Sequence, residues 1–350
     1  MTLEDIRRVD PSGMYELIKG FPEQVEEAVS IGKNTSIKLN IRSVEHIVLC
    51  GLGGSAIGGD LLRTYLADEL KVPFIINRNY TLPDFVGKHS LVIVSSYSGN
   101  TEETNACHKE AIKRRAKILC ISSGGLVEKM AKKHKQPHIK VPGGPSPRAA
   151  LGYSFFPLLI ALAKLKLIRN KDRDIRETIA MLKTKAIGYA NPESVMNEPL
   201  RLARQLHSRI GVVYSATERL DAINTRWRGQ VAENAKSLAW GHVVPEMNHN
   251  ELVGWKVLKE QMREMQVIFL RDKEDHKRVA MRLDITKQIL NEYTQHIIEV
   301  WSEGKSRLTR MFSLIHLGDW MSFYLAILNN EDPMPVNVID YLKNELSNVR

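Results

Sequence analysis

Two short stretches of this sequence carry residues that can grip a phosphate. The first, "HIVLCGLGGSAIGGDLLRTYL" (46–66), reads as a strand, a glycine-rich turn and a helix, with Ser55 directly after Gly53 and Gly54. Glycines let the backbone approach an anion closely. A serine at a helix N-cap adds a hydroxyl and an amide at the positive end of the helix dipole. The second stretch, "LVIVSSYSGNTEET" (91–104), runs from an apolar strand into Ser96, Ser98 and Thr101 and then opens a helix. One such loop is explained by an ordinary serine-capped turn. Two of them, at the strand ends where open α/β sheets bind ligands, make a compact phosphate cage of Gly54, Ser55, Ser96, Ser98 and Thr101.

The same glycines superficially offer a dinucleotide fingerprint, which asks for an acid at the end of the second strand. That strand ends "INRNYT", without Asp or Glu, although Arg78 would suit a 2′-phosphate. A nucleoside-triphosphate loop needs Gly-Lys-Ser/Thr, and none follows here.

Four further residues have chemistry to offer. Glu233, in "QVAENAKSLAW", lies near a helix end beside a polar turn and reads either as an exposed helix glutamate or as a general base. His249, in "PEMNHNELVGW", is an Asn-flanked loop histidine able to titrate near neutral pH, with His242 as a nearby rival. Arg148, in "SPRAALGY", stands where a helix starts, a place the dipole makes unfavourable for a cation. Lys343, in "IDYLKNEL", occupies a position where lysines are usually solvated.

Positioning these residues requires a scaffold, and the hydrophobic pattern supplies one. Strand-like runs at 46–50, 73–79, 90–96, 117–123 and 138–142 alternate with helical patterns at 55–70, 101–115 and 125–134, and a long apolar helix at 150–167 follows. Short Val- and Ile-rich runs each followed by a helix predict a parallel sheet covered on both faces. The alternation resumes with strands at 209–215, 266–272 and 296–302 and helices at 219–236, 276–293 and 308–330. The fold class expected is α/β, as two doubly wound parallel-sheet domains. The boundaries expected are a helical lead-in (1–40), a first domain (41–168), a helical linker (169–198) and a second domain (199–350).

Composition narrows the partners. The 350 residues carry a net charge of +10, spread along the chain, and the densest basic run lacks interleaved aromatics, so no nucleic-acid partner is expected. The longest apolar run, at 155–168, is interrupted by Pro157, Lys164 and Lys166, and no membrane span is expected. Three cysteines without CxxC spacing predict a reduced, cytoplasmic protein. No histidine cluster suggests a metal site.

The two phosphate motifs together resemble the sugar isomerase (SIS) domain. "PSPRAALGYSFFPLL", "ENAKSLAWGHVVPEMNHNELVGW" and "DPMPVNVIDYLKNEL" are further similar to the archaeal-type bifunctional phosphoglucose/phosphomannose isomerases, and the likeness covers nearly the whole chain after residue 40. The resemblance implies a metal-independent, cofactor-free isomerase that interconverts glucose 6-phosphate and mannose 6-phosphate with fructose 6-phosphate through a cis-enediol. It implies a homodimer with active sites at the interface. It casts Glu233 as the base, His249 as the ring-opening group reaching into the partner's site, Lys343 as its assistant and Arg148 as the group that steadies the enediolate. Two rivals stay open: a non-catalytic sugar-phosphate sensor, and an isomerase of another phosphorylated sugar.

Overall fold

A computed structural model describes residues 1–348. The chain opens with three helices, α1 (Leu3–Val9), α2 (Met14–Lys19) and α3 (Phe21–Asn34). A capping box starts α1: the Thr2 hydroxyl accepts from the Asp5 amide while the Asp5 carboxylate accepts from the Thr2 amide. Then come β1 (His46–Cys50), α4 (Gly53–Leu66), β2 (Phe74–Asn77), β3 (Ser90–Ser95), α5 (Glu102–Lys113), β4 (Lys117–Ser122), α6 (Gly125–Lys133) and β5 (His138–Lys140). Their strands pair in parallel in the order β2-β1-β3-β4-β5. β3 is buried along its whole length, which is why it reads as an unbroken apolar run.

A 3₁₀ turn (Pro147–Ala149) leads into α7 (Leu151–Lys164), α8 (Asp172–Tyr189) and α9 (Glu198–Leu206). The second sheet follows: β6 (Gly211–Ala216), α10 (Asp221–Ala235), β7 (Ala239–Val244), α11 (Lys259–Arg263), β8 (Gln266–Arg271), α12 (Lys277–Leu290) and β9 (Ile297–Trp301). It is parallel, in the order β7-β6-β8-β9. α13 (Arg307–Leu328) and α14 (Asn337–Asn348) end the described chain. The fold is the expected pair of parallel α/β sheets.

One local expectation fails. The sequence reads as irregular through 241–255, yet Ala239–Val244 is a strand. Its Ala-Trp-Gly-His start lacks the β-branched signature, and as the sheet's edge strand it is mostly only half-buried. Gly241 is what permits it: a Cβ there would lie 1.9 Å from the Val213 carbonyl oxygen. Among the described residues, the helix long and apolar enough to cross a membrane is α13, and 94% of that window is buried inside the protein. α13 packs against α8, α9 and α10 and touches α1 and α2, so it is the core helix that ties the lead-in to the second sheet.

Each sheet reverses its strand order once, between β1 and β3 and between β6 and β8, and a crevice opens there. In the first sheet the crevice is lined by the two glycine- and serine-rich loops. In the second, the loop after β8 carries acids instead, and Arg310 of α13 fills it. The buried Arg310 donates from Nε to Asp272 at 2.8 Å and pairs with Glu274 at 2.5 Å, while the Ser302 hydroxyl also donates to Asp272.

Asp275 sits beside this cluster. One carboxylate oxygen accepts from the Asp272 amide; the other is buried without a partner among the described residues. Burial pushes its carboxyl from 3.8 up to about 6. The native state therefore holds this proton more tightly than the unfolded chain. The stability this supplies is complete below 3.8 and is lost as pH rises through about 6. Asp275→Asn should accordingly stabilise the protein by about 1–2 kcal/mol at neutral pH, after allowing for partial exposure, and by little in mild acid. Thermal melts at both pH values check this; equal shifts at both would show that the carboxyl is not desolvated.

Candidate active site

The glycine-rich turn and the loop after β3 face one cavity of about 1010 Å³. The N-cap of α4 is Leu52, not Ser55; the helix begins at Gly53, and Ser55 falls in its first turn. Leu52 has no side chain to cap with, so the first amides of α4 are left for an anion. The Ser55 hydroxyl accepts from the Tyr97 amide at 3.1 Å and so ties the first loop to the second. Gly54 is obligatory by contact: a Cβ there would lie 2.6 Å from the Pro147 carbonyl oxygen.

The second loop is organised from within. Ser96 is buried and does not line the cavity. Its hydroxyl accepts from the amides of Gly99 and Thr101 and meets the Thr101 hydroxyl at 2.9 Å, so it shapes the loop instead of facing a ligand. Gly99 has φ of +74°, and a Cβ there would lie 1.9 Å from the Gly124 carbonyl oxygen. Ser98 and Thr101 do line the cavity. Thr101 is the N-cap of α5 but makes no cap bond, leaving a second helix N-terminus uncapped. Two such termini beside glycines favour a dianion.

Arg148 enters from the 3₁₀ turn ahead of α7 and is 5% exposed. Its Nε donates to Asn234 Oδ1 at 2.7 Å, and Nη2 donates to the carbonyls of Pro333 at 2.5 Å and Met334 at 2.7 Å. Nη1 donates to the Ser146 hydroxyl at 2.9 Å and reaches Glu233 Oε2 at 3.4 Å. Burial draws its pKa below the ordinary value, opposed by Glu233 and Asp332; a guanidinium stays charged all the same. The cation that looked misplaced at a helix start is therefore held by partners far along the chain.

Glu233, in the last turn of α10, lines the same cavity with its side chain partly open to it. Lys236, the left-handed C-cap of α10, donates from Nζ to the Glu233 carbonyl at 2.6 Å and closes the helix end. Lys343 lines the cavity from α14, with its side chain 69% exposed and Asp340 3.9 Å away. His249 is not brought to this cavity. It ends a 3₁₀ turn (Glu246–His249) beyond β7 and is exposed. His242, the rival histidine, lies in β7 with Nδ1 accepting from the Val243 amide, also outside the cavity.

Some lining residues were not legible beforehand. Ser12, Gly13 and Leu17 come from the lead-in, and the Ser12 hydroxyl donates to Asp332 at 2.7 Å, closing the N-terminal segment onto the C-terminal one. Tyr97 packs in the wall, its hydroxyl buried without a partner among the described residues and pushed up to about 12 by burial. No local pattern marks a contact between residues 12 and 332; only "SYSG" around Tyr97 offered a signal. Among the described residues, no group of three or more His, Cys, Asp or Glu is placed to share a metal ion.

Two parallel sheets with one open, hydroxyl-lined crevice define a paired sugar isomerase (SIS) protein. Residues 195–346 match the model of the bacterial phosphoglucose isomerase C-terminal SIS domain. A bifunctional phosphoglucose/phosphomannose isomerase of Caldicellulosiruptor bescii is 44% identical over 339 residues, covering 96% of this chain and 100% of the relative. One from Aquifex aeolicus is 37% identical over 335 residues, covering 95% and 98%. The solved C-terminal domain of glucosamine-fructose-6-phosphate aminotransferase from Francisella tularensis superposes with a TM-score of 0.70 at 15% identity, covering 92% of this chain and 98% of that one, which shows the shared fold. The chain belongs to the bifunctional phosphoglucose/phosphomannose isomerase family.

The two serines of the second loop should separate in experiment. Ser96→Ala removes the acceptor for two loop amides in a buried place and should lower stability by about 1–3 kcal/mol. Ser98→Ala, on the exposed side of the loop, should change it by less than about 0.5 kcal/mol. Denaturant titration of both variants checks this, and equal losses would contradict the inward role of Ser96.

Proposed function

We propose that this protein interconverts glucose 6-phosphate and mannose 6-phosphate with fructose 6-phosphate, without a metal, through a cis-enediol. The observation that carries the reading is the placement of Glu233 and Arg148 in one cavity with the phosphate cradle, the carboxylate 3.4 Å from Nη1. Ser55, Ser98, Thr101 and the amides around Gly54 hold the phosphate. Ser96 supports them from behind.

Glu233 takes the proton from C2 of the open-chain aldose and returns it to C1, giving the ketose. The electron pair left at C2 forms the C1–C2 double bond as the C1 carbonyl becomes an enediolate oxygen. The O2 hydroxyl proton then passes to O1, and the C2 carbonyl forms as C1 takes up the proton from Glu233. Arg148 Nη1 faces that oxygen with a positive charge in a site partly shielded from water, supplying the stabilisation a metal would otherwise give. Glucose and mannose phosphates differ only at C2, so both give one enediol. One carboxylate serves both if the chain turns about C2–C3.

Lys343 assists ring opening, and His249 performs it from the second copy of a homodimer. The exposure of His249 outside its own chain's cavity supports action in trans. β7, an edge strand with Trp240 exposed, and the exposed Leu238, Val253 and Val257 nearby in sequence suit a face covered by a partner. A cytoplasmic location fits three buried, unpaired thiols.

Glu233→Gln keeps the shape and removes the base. Turnover should fall ~10²–10⁴-fold for both aldose phosphates with binding nearly kept. Loss of one activity alone would mean two bases. Dialysis against a chelator should leave both rates unchanged. Ser98→Ala should raise KM for all three sugar phosphates and leave kcat largely intact. Glu233→Gln and His249→Ala chains, refolded together, should pair at random, so about half the dimers are mixed. Each mixed dimer then has one complete site, returning roughly a quarter of native activity. No recovery, with mixed dimers shown to be present, would place both residues in one chain's site.

A further inference from the structure

Asn234 follows Glu233 in α10, is 1% exposed and does not line the cavity. Both ends of its amide are engaged. Oδ1 accepts from Arg148 Nε at 2.7 Å, and Nδ2 donates to the Ser322 hydroxyl of α13 at 3.0 Å. The Ser322 hydroxyl donates in turn to the Asp319 carbonyl at 2.9 Å. The orientation is fixed by chemistry: Arg148 Nε–H is only a donor, so it must meet the amide oxygen.

A guanidinium is a rigid planar fork. Fixing Nε through Asn234 and Nη2 through the carbonyls of Pro333 and Met334 fixes the plane, and with it the direction of Nη1, the nitrogen beside Glu233. The backbone is fixed separately, because Arg226 Nη2 donates to the Arg148 carbonyl at 3.0 Å. Side-chain direction thus depends on the amide of Asn234, on the Ser146 hydroxyl that Nη1 meets at 2.9 Å, and on two carbonyls of a segment that leads into the exposed α14. Of these, only the amide is anchored to the buried core helix.

The geometry points to Asn234 as a positioning residue: it holds the Arg148 guanidinium in the plane that aims Nη1 at the charge developing on the sugar. This rests on the reading that Arg148 steadies the enediolate. Asn234 touches no substrate and acts only through Arg148, so its loss should appear in the chemical step and not in phosphate binding.

Steady-state kinetics with fructose 6-phosphate and mannose 6-phosphate test this. Asn234→Ala should lower kcat by ~10–100-fold, as a misaimed group does, with KM changed by less than about 3-fold, because the cradle stands on α4 and α5. Asn234→Asp keeps an oxygen for Nε, and the Ser322 hydroxyl can turn to donate to the other oxygen, so this variant should recover most of the lost kcat. An unchanged kcat in Asn234→Ala, a loss carried by KM, or no recovery in Asn234→Asp would overturn the proposal. Should Asn234→Ala not fold, Ser322→Ala, which removes only the group that holds Nδ2, should lower kcat by ~3–10-fold, and no effect there would overturn it.

Guanidinium rescue separates this proposal from the reading beneath it. An Arg148→Ala variant as active as the parent would sink the role of Arg148 itself. If Arg148→Ala is impaired, added guanidinium ion should restore activity in it and restore much less in the Arg148→Ala, Asn234→Ala double variant. Equal restoration in both would leave Arg148 in place and remove Asn234.

Discussion

The ion pair between Arg226 of α10 and Asp319 of α13 is the contact on which the site depends. The side chains are 4% and 9% exposed, and the guanidinium is bidentate, at 3.0 Å from Nε and 2.7 Å from Nη2. Burial pushes the Asp319 carboxyl up, while Arg226 and the amide of Gln230 act in the opposite direction by bonding the charged form. A buried pair of this kind gains little over apolar packing, but removing one partner strands the other and costs about 3–5 kcal/mol. Its consequence is register. Arg226, Gln230, Glu233 and Asn234 share α10, so locking two of them to Asp319 sets the rotation of the helix and hence the direction of the carboxylate. The same Arg226 holds the backbone carbonyl of Arg148. One buried pair therefore places both the Glu233 carboxylate and the cation opposite it.

The two sheets answer the same topological question in opposite ways. Each has a crevice where its strand order reverses, and a backbone there can be covered by a ligand or by the protein. Beyond β1 and β3 the loops carry glycine and serine, and both helix N-termini lack side-chain caps. Beyond β8 the loop carries Asp272, Glu274 and Asp275, and Arg310 occupies the space between them. An anion is repelled by such a loop, and an internal guanidinium already neutralises it. Asymmetry between the halves is thus a charge decision made by a handful of loop residues. It frees the end of α10 to serve the first half's crevice, as Glu233 does with Asn234 behind it.

What the sequence discloses follows from the range of the interactions. Strands such as Ser90–Ser95 declare themselves, because burial on both faces writes a continuous apolar run. The glycine-serine loops declare themselves because close backbone approach excludes side chains. Ser96 is a harder case: its residue type is right for a phosphate, and only the fold shows that its hydroxyl is turned inward to Gly99 and Thr101. Ser55 lies in the first turn and not at the cap because a leucine, which no capping preference would choose, is the N-cap of α4. Ala239–Val244 escaped notice because it is an edge strand with a glycine at its closest approach. The distant partners of Arg148 are not legible, since Asn234, Pro333 and Met334 lie far along the chain and no periodicity records their contact with it.

The cavity is assembled from pieces that no single sheet supplies: the lead-in at Ser12, the loops of the first sheet, the end of α10 and the start of α14. Ser12 and Asp332 join the first and last of these directly, so the floor is complete only when both halves have docked. The roof is different. α14 sends Ile339, Asp340 and Lys343 toward the cavity but leaves Val338, Tyr341 and Leu342 more than half exposed. An amphipathic helix of twelve residues with its apolar positions in water is poorly held by its own propensity. The proposed second copy resolves two deficits at once. It would cover apolar surface that one chain leaves open, and it would bring the histidine proposed for ring opening, which its own chain's cavity lacks. A site whose cation and carboxylate are fixed by buried contacts, and whose proposed ring-opening groups stand on exposed elements, would keep its chemistry rigid while leaving the entrance free to admit and release the sugar.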